Sequence, residues 1–122
     1  MVPAMRIFDV DETRPAEAAA LTAHLIAGET VRAAFVSPAG SILFTDRRIL
    51  LVQREHLLEE RVETSSYSWR EVRRFALQES VSKDGLVQLR IWLGEEDHPL
   101  HLRARPGTDL RPLQRLLVEQ LA

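Results

Sequence analysis

The feature that most constrains this chain is a late change of hydrophobic period. From Thr30 to Ala104 the apolar residues alternate with polar ones or come in short runs between turn signals. Val31, Ala33 and Phe35 alternate with Arg32 and Ala34, and Ser37-Pro38-Ala39-Gly40 then supplies a tight turn. Ser41–Thr45 carries Ile42, Leu43 and Phe44. Asp46-Arg47-Arg48 interrupts the run, and Ile49-Leu50-Leu51-Val52 resumes it as a strand apolar on both faces, the pattern of a strand covered on each side. Arg61–Ser66 is polar on both faces but rich in Val, Thr and Ser, which predicts an edge or outer strand. Val72–Glu79 and Leu86–Leu93 flank Ser82-Lys83-Asp84-Gly85, whose Asp-Gly pair marks a hairpin. Leu100, Leu102 and Ala104 make a last short strand after the Gly94–Pro99 turn. Seven antiparallel strands are expected.

Helical spacing returns only after Pro106-Gly107. Leu110, Leu113, Leu116, Leu117 and Leu121 form one apolar stripe, and Asp109 can accept from the free amides of the first turn. Pro112 is tolerated there, because first-turn amides have no helical partner. A shorter helix is expected over 15–27: Pro15 and Glu17 suit its start, Gly28 its end, and Ala18, Leu21, Leu25 and Ile26 its apolar face. Residues 1–14, mixed and partly acidic (Asp9, Asp11, Glu12), read as a loosely held lead-in. The expected organisation is that lead-in followed by a single domain over 15–122. At 122 residues such a chain can bury a core without staples.

The composition excludes several functions. With no cysteine there are no disulfides, no thiolate zinc site and no thiol catalysis. A net charge of −2 gives no overall pull toward nucleic acid or anionic lipid. No apolar run approaches the ~20 residues needed to span a bilayer, and Met1–Arg6 lacks the charged and apolar regions of a signal peptide. A cytoplasmic protein is the expectation.

Four pieces of local wording carry a resemblance. Gly28-Glu29-Thr30-Val31, then Ile42-Leu43-Phe44-Thr45-Asp46-Arg47-Arg48-Ile49-Leu50-Leu51-Val52, resembles the "GE-x-V … ILFT-x-x-R-L-I-L-V" pattern of the bacterial PH (pleckstrin-homology-like) domain family. Trp69-Arg70-Glu71-Val72-Arg73-Arg74-Phe75 is similar to that family's "P-Y-x-x-I-x-x-F", with Ser68 and Trp69 in place of its proline and tyrosine. Leu89-Arg90-Ile91-Trp92-Leu93 is similar to its "L-K-I-W-I". The resemblance covers about residues 21–122. The resemblance implies a mainly β, α+β fold: a partly open barrel of about seven antiparallel strands capped by a C-terminal amphipathic helix, here with an extra N-terminal helix. It also implies ring-shaped homo-oligomers. The acidic and apolar run Glu55-His56-Leu57-Leu58-Glu59-Glu60 departs from the family's glycine-rich segment.

No chemistry of catalysis is legible. No Gly-x-Ser-x-Gly elbow, P-loop or dinucleotide turn occurs, so the chain reads as a non-enzyme without cofactor. Glu95-Glu96-Asp97-His98-Pro99-Leu100-His101 has metal-binding residue types, but a spacing of three puts the two histidines on opposite faces of a strand. It reads as a solvated turn, and no metal is expected. Phosphoinositide-binding PH domains of eukaryotes use basic residues in the first hairpin loop, and Ser37–Gly40 has none. An anionic lipid or another phosphorylated ligand would have to use Arg32, Arg47 and Arg48. Arg48 has a structural alternative, with its stem along the sheet and its head on Asp46 or Glu71, while the Thr45 hydroxyl bonds local backbone.

Protein is the better class of partner. Trp92 lies on the polar side of its strand beside Arg90 and Gln88, and Trp69 lies in a charged segment. Tryptophan and arginine are enriched where partners dock. A second copy is the expected partner, in an oligomer larger than a dimer, with another protein as a further candidate. Its interface would use Leu57, Leu58, Arg73, Arg74, Arg90 and Trp92, the arginines facing Glu55, Glu59 and Glu60. Nucleic acid and membrane are not expected partners.

Overall fold

The structure, a computed structural model, describes residues 6–13, 24–37, 40–56, 60–79, 87–97, 99–104 and 108–121. Its strands are β1 (Arg6–Thr13), β2 (Val31–Ser37), β3 (Gly40–Thr45), β4 (Arg48–His56), β5 (Glu60–Ser68), β6 (Val72–Gln78), β7 (Val87–Leu93) and β8 (Leu100–Ala104). A 3-10 turn, Trp69–Glu71, precedes β6, and the helix α1 (Arg111–Leu121) closes the chain. The backbone gathers into two compact units. One is residues 11–68; the other is β1 up to Val10 with the residues from Trp69 onward.

In the first unit β2, β3, β4 and β5 form an antiparallel meander, with Asp11–Thr13 of β1 paired to β2. Successive side chains of a strand point to opposite faces, so two cross-strand rows result. Ala34, Leu43 and Leu50 share one face with Val52, and Leu25 and Val31 pack against this group. Phe35, Ile42 and Leu51 share the other, and the Phe35 and Phe44 rings meet edge to face at 6.0 Å. The segment Ile42–Thr45 and Ile49–Val52 are buried throughout, as strands apolar on both faces require. Gly40 sits where β3 leaves its turn, and a side chain there would place Cβ 2.0 Å from the Val52 carbonyl oxygen. No other residue fits that close approach.

In the second unit β6, β7 and β8 are antiparallel, and Arg6–Val10 of β1 runs parallel to β8. Leu89, Ile91 and Leu93 fill one face of β7, and Leu100, Leu102 and Ala104 the buried face of β8. The helix α1 packs on β6 and on the Trp69–Glu71 turn, burying Leu113, Leu116 and Leu117. Asp109 accepts from the Arg111 amide at 3.0 Å, and Leu110 accepts the first helical bond, from Gln114. No helix among the described residues is long and apolar enough to cross a membrane.

Several expectations need correction. The lead-in contains a strand, β1, making eight strands among the described residues, and its ladder with β8 is parallel where antiparallel pairing throughout was expected. Its partners lie 94 residues away at the Arg6–Leu100 pairing, so no local turn announces it. Of the helix expected over 15–27, most falls outside the described residues. From Leu25 onward the chain is out of helix, and Ile26, placed on the apolar face, is 57% exposed. Leu121, expected in the stripe of α1, is exposed at the helix end. The Ser82–Gly85 turn, His98 and Pro106-Gly107 lie outside the described residues.

Because Leu117 is fully buried, Leu117→Ala should cost roughly 2–5 kcal/mol in urea unfolding, as large-to-small core changes do. Val118→Ala, one residue on and exposed, should stay within about 0.5 kcal/mol.

Candidate interaction surfaces

The polar residues that the sequence singles out fall into two groups, one in each unit. In the first unit Glu29 is the hub. The Ala27-Gly28 turn, with Gly28 at φ +83°, sends the chain into β2 so that Glu29 lies beneath the β3–β4 turn. Its carboxylate accepts from Arg48 Nε and Nη2, both at 2.9 Å, from the Thr45 hydroxyl at 2.6 Å, and from the Ile26 amide at 3.2 Å. The Thr45 oxygen in turn accepts from the amides of Arg47 and Arg48, at 3.1 and 3.0 Å. Arg48 also donates to the His24 carbonyl and to Ser66 Oγ. Thr30 and Asp46 close the same turn with two reciprocal bonds, amide to carboxylate and amide to carbonyl.

Bonding to the Arg48 guanidinium holds the Glu29 carboxyl down to about 2, from 4.5, against the opposing effect of burial; Thr45 and the Ile26 amide add to the lowering. The Glu29 side chain is wholly shielded, while Arg48 keeps 22% exposure. The expected partner of Arg48, Asp46 or Glu71, is therefore replaced by Glu29. Asp46 instead meets Thr30, and Glu29 is the carboxylate that lies in line with the guanidinium fork. Thr45 bonds local backbone as expected, and spends its one proton on Glu29.

Arg32 and Arg47 are exposed near the same end of the β2–β3 ladder, where Val31 faces Thr45. Arg32 occupies the irregularity between Val31 and Ala33, which turns it outward. The three arginines considered for an anionic ligand thus lie in one unit, but Arg48 is committed to the chain's own carboxylate.

In the second unit β7 presents Gln88, Arg90 and Trp92 on the face opposite its buried leucines. Arg74 of β6 faces Trp92 across the ladder, and its guanidinium carbon lies 4.5 Å from the ring centroid. The guanidinium carbon of Arg90 lies 5.7 Å from the same centroid. One indole is thus flanked by two cations, each attracted to its π cloud. A register shift between Val72 and Arg74 makes Arg73 an extra residue, so consecutive arginines are both exposed. Arg73 donates to the Glu96 carbonyl at 2.8 Å. Trp69, by contrast, is buried at 7% exposure at the start of the turn under α1. It is a core residue.

The structure therefore brings Arg74, Arg90 and Trp92 together, with Arg73 beside them. Leu57 and Leu58 lie outside the described residues, between His56 and Glu60, which face each other across the β4–β5 ladder. Sequence reasoning missed Glu29, although the Gly28-Glu29 pair was in view as motif wording.

Among the described residues no group of three or more His, Asp or Glu could hold a metal ion. The arrangement is that of antiparallel strands followed by a C-terminal helix, the architecture of a pleckstrin-homology-like domain. The chain belongs to the bacterial PH domain family, whose model matches residues 5–121. It is similar to a structure of a DUF1696 family protein with a pleckstrin-homology domain from Shewanella loihica PV-4: TM-score 0.76, 19% identity, 94% of this chain and 99% of that one. A pleckstrin homology domain from Shewanella amazonensis SB2B gives 0.67 at 21% identity, over 88% of this chain and 97% of that one. In Bacillus subtilis (strain 168) the uncharacterized protein YjqA is 31% identical over 75 residues, 62% of this chain and 60% of that protein. The match thus spans about three-fifths of that protein's length. The solved neighbours bear out the PH-like fold.

The Glu29 pair sets a pH dependence. A carboxyl with a lowered folded pKa stabilises above its unfolded value and loses that contribution as pH falls through the folded one. Glu29→Gln should therefore cost on the order of 2–3 kcal/mol at pH 7. The difference from the wild type, measured by urea unfolding, should shrink between pH 4.5 and about 2.

Proposed function

We propose that this bacterial PH domain is a non-enzymatic interaction module of the cytoplasm that associates head to tail with copies of itself, in an oligomer larger than a dimer. The observation that carries the reading is the Arg74–Trp92–Arg90 stack. A half-buried indole held between two guanidinium groups is a prepared anchor: ring and cations are positioned before a partner arrives, so little side-chain freedom is lost on binding. The complementary element is the acidic run between β4 and β5 in the sequence, with Glu55, Glu59 and Glu60 to meet arginines and Leu57 and Leu58 to cover the ring. Because the two surfaces differ, their contact is heterologous, and heterologous contacts close into rings when the rotation allows.

The alternative, a peripheral module for anionic lipid or another phosphorylated ligand, would draw on Arg32 and Arg47. It is the weaker reading because Arg48 neutralises Glu29.

Size-exclusion chromatography with light scattering tests the first reading. The wild-type chain should elute above dimer mass at micromolar concentration. Trp92→Ala, or Leu57→Asp with Leu58→Asp, should lower that mass while the fold survives. A wild-type monomer would overturn the reading. Sedimentation with phosphatidylserine vesicles at physiological salt should show no binding. Robust binding abolished by Arg47→Glu would favour the alternative.

A further inference from the structure

In the second unit the ladder β6–β7–β8 is apolar on one face and cationic on the other. Side chains alternate along each strand. Arg74, Ala76 and Gln78 of β6 therefore share the outward face with Gln88, Arg90 and Trp92 of β7 and with His101 and Arg103 of β8. None of these positions carries a carboxylate, although acidic residues outnumber basic ones in the chain, 18 to 16. The acid in register with these rows is Asp9 of β1, which stands opposite Arg103, two strands away from Arg90. Among the described residues Arg74 and Arg90 contact the Trp92 ring, and neither meets a carboxylate. Arg90 Nε is shut off from water with no hydrogen-bond partner, so the donors of this guanidinium are not all met by the chain itself. A guanidinium drawn to a π cloud still offers its planar fork of N–H groups to a carboxylate.

The spacing of the two arginines selects the form of the partner. We infer that Arg74, Trp92 and Arg90 form a docking site for an extended acidic segment of another protein, with carboxylates at alternate positions. Arg74 faces Trp92 across the ladder and Arg90 lies two residues from Trp92, which makes the arginines diagonal neighbours, about 7–8 Å apart. An extended chain sets residues i and i+2 on one side at about 6.6–6.8 Å. Each carboxylate then meets one guanidinium, and the side chain between them points away. Consecutive acidic residues point to opposite sides, so one of the pair misses the site. The inference rests on the stack as a prepared anchor and is independent of self-association. A second copy and an acidic segment would compete for the same face.

The probe is the peptide Gly-Ser-Glu-Thr-Glu-Ser-Gly, blocked at both ends and titrated by calorimetry. The wild-type chain is measured beside Leu57→Asp with Leu58→Asp, in which the head-to-tail contact no longer competes. The peptide should bind, and more weakly as salt rises. Glutamine in place of both its glutamates should weaken binding roughly tenfold or more, as should Arg74→Gln or Arg90→Gln, since charge-assisted bonds are lost. The isomer Gly-Ser-Glu-Glu-Thr-Ser-Gly, equal in charge, should also bind more weakly. Arg115→Gln, at an exposed position of α1, should leave the affinity unchanged. A peptide bound by neither chain, equal binding of the glutamine peptide or of the isomer, or binding that survives both Arg74→Gln and Arg90→Gln would each overturn the site. A wild-type monomer that binds the peptide would uphold the site while the head-to-tail reading fails. An oligomer, with no peptide bound by either chain, would overturn the site while that reading stands.

Discussion

The carboxylate of Glu29 is the interaction on which the first unit depends. Burying a charge is costly unless it is paired and its remaining lone pairs are bonded. Glu29 meets both conditions, because Arg48 supplies two donors and Thr45 and Ile26 supply one each. These groups come from three stretches of chain: the entry to β2, the end of β3 and the start of β4. One ion pair thereby fixes where β2 begins, how the β3–β4 turn closes, and where Arg48 lies along the sheet. The same arrangement accounts for two distant motif fragments occurring together. Gly28 makes the turn, Glu29 supplies the charge, Thr45 shapes the hairpin and Arg48 neutralises the carboxylate.

Once that pair is formed, the hydrophobic pattern does the rest. With the β3–β4 turn confined to Asp46 and Arg47, the runs Ile42–Thr45 and Ile49–Val52 must lie side by side in register. Both are then buried on both faces. A slip by one residue would exchange the Ala34–Leu43–Leu50 row with the Phe35–Ile42–Leu51 row, which differ in volume.

How much of this was legible in the sequence depends on how local each signal is. The strands β2 to β8 and α1 were readable because their periods and turns lie within a few residues. β8 was expected at Leu100–Ala104 and occupies those residues. β1 was not readable. Its Phe8 and Val10 alternate with acidic residues, and its order comes from pairing to β8 and β2. The partner of Arg48 was misjudged for a similar reason: Glu29 is 19 residues away, while Asp46 was near enough to suggest itself. Trp92 could be placed from strand alternation alone. Trp69 could not, since a 3-10 turn has no such period, and its burial depends on α1 arriving from the end of the chain.

The surfaces follow from the same accounting of charges. Among the described residues the shielded Glu29 carboxylate is neutralised within the chain, and strand geometry sets where the exposed charges lie. In the second unit a bulge in β6 breaks alternation and gathers arginines around Trp92. In the first, the β4–β5 ladder runs unbroken from Arg48–Ser68 to His56–Glu60 and sets Arg61 opposite Glu55 of the same chain. An aromatic ring between cations suits a different surface with acidic residues.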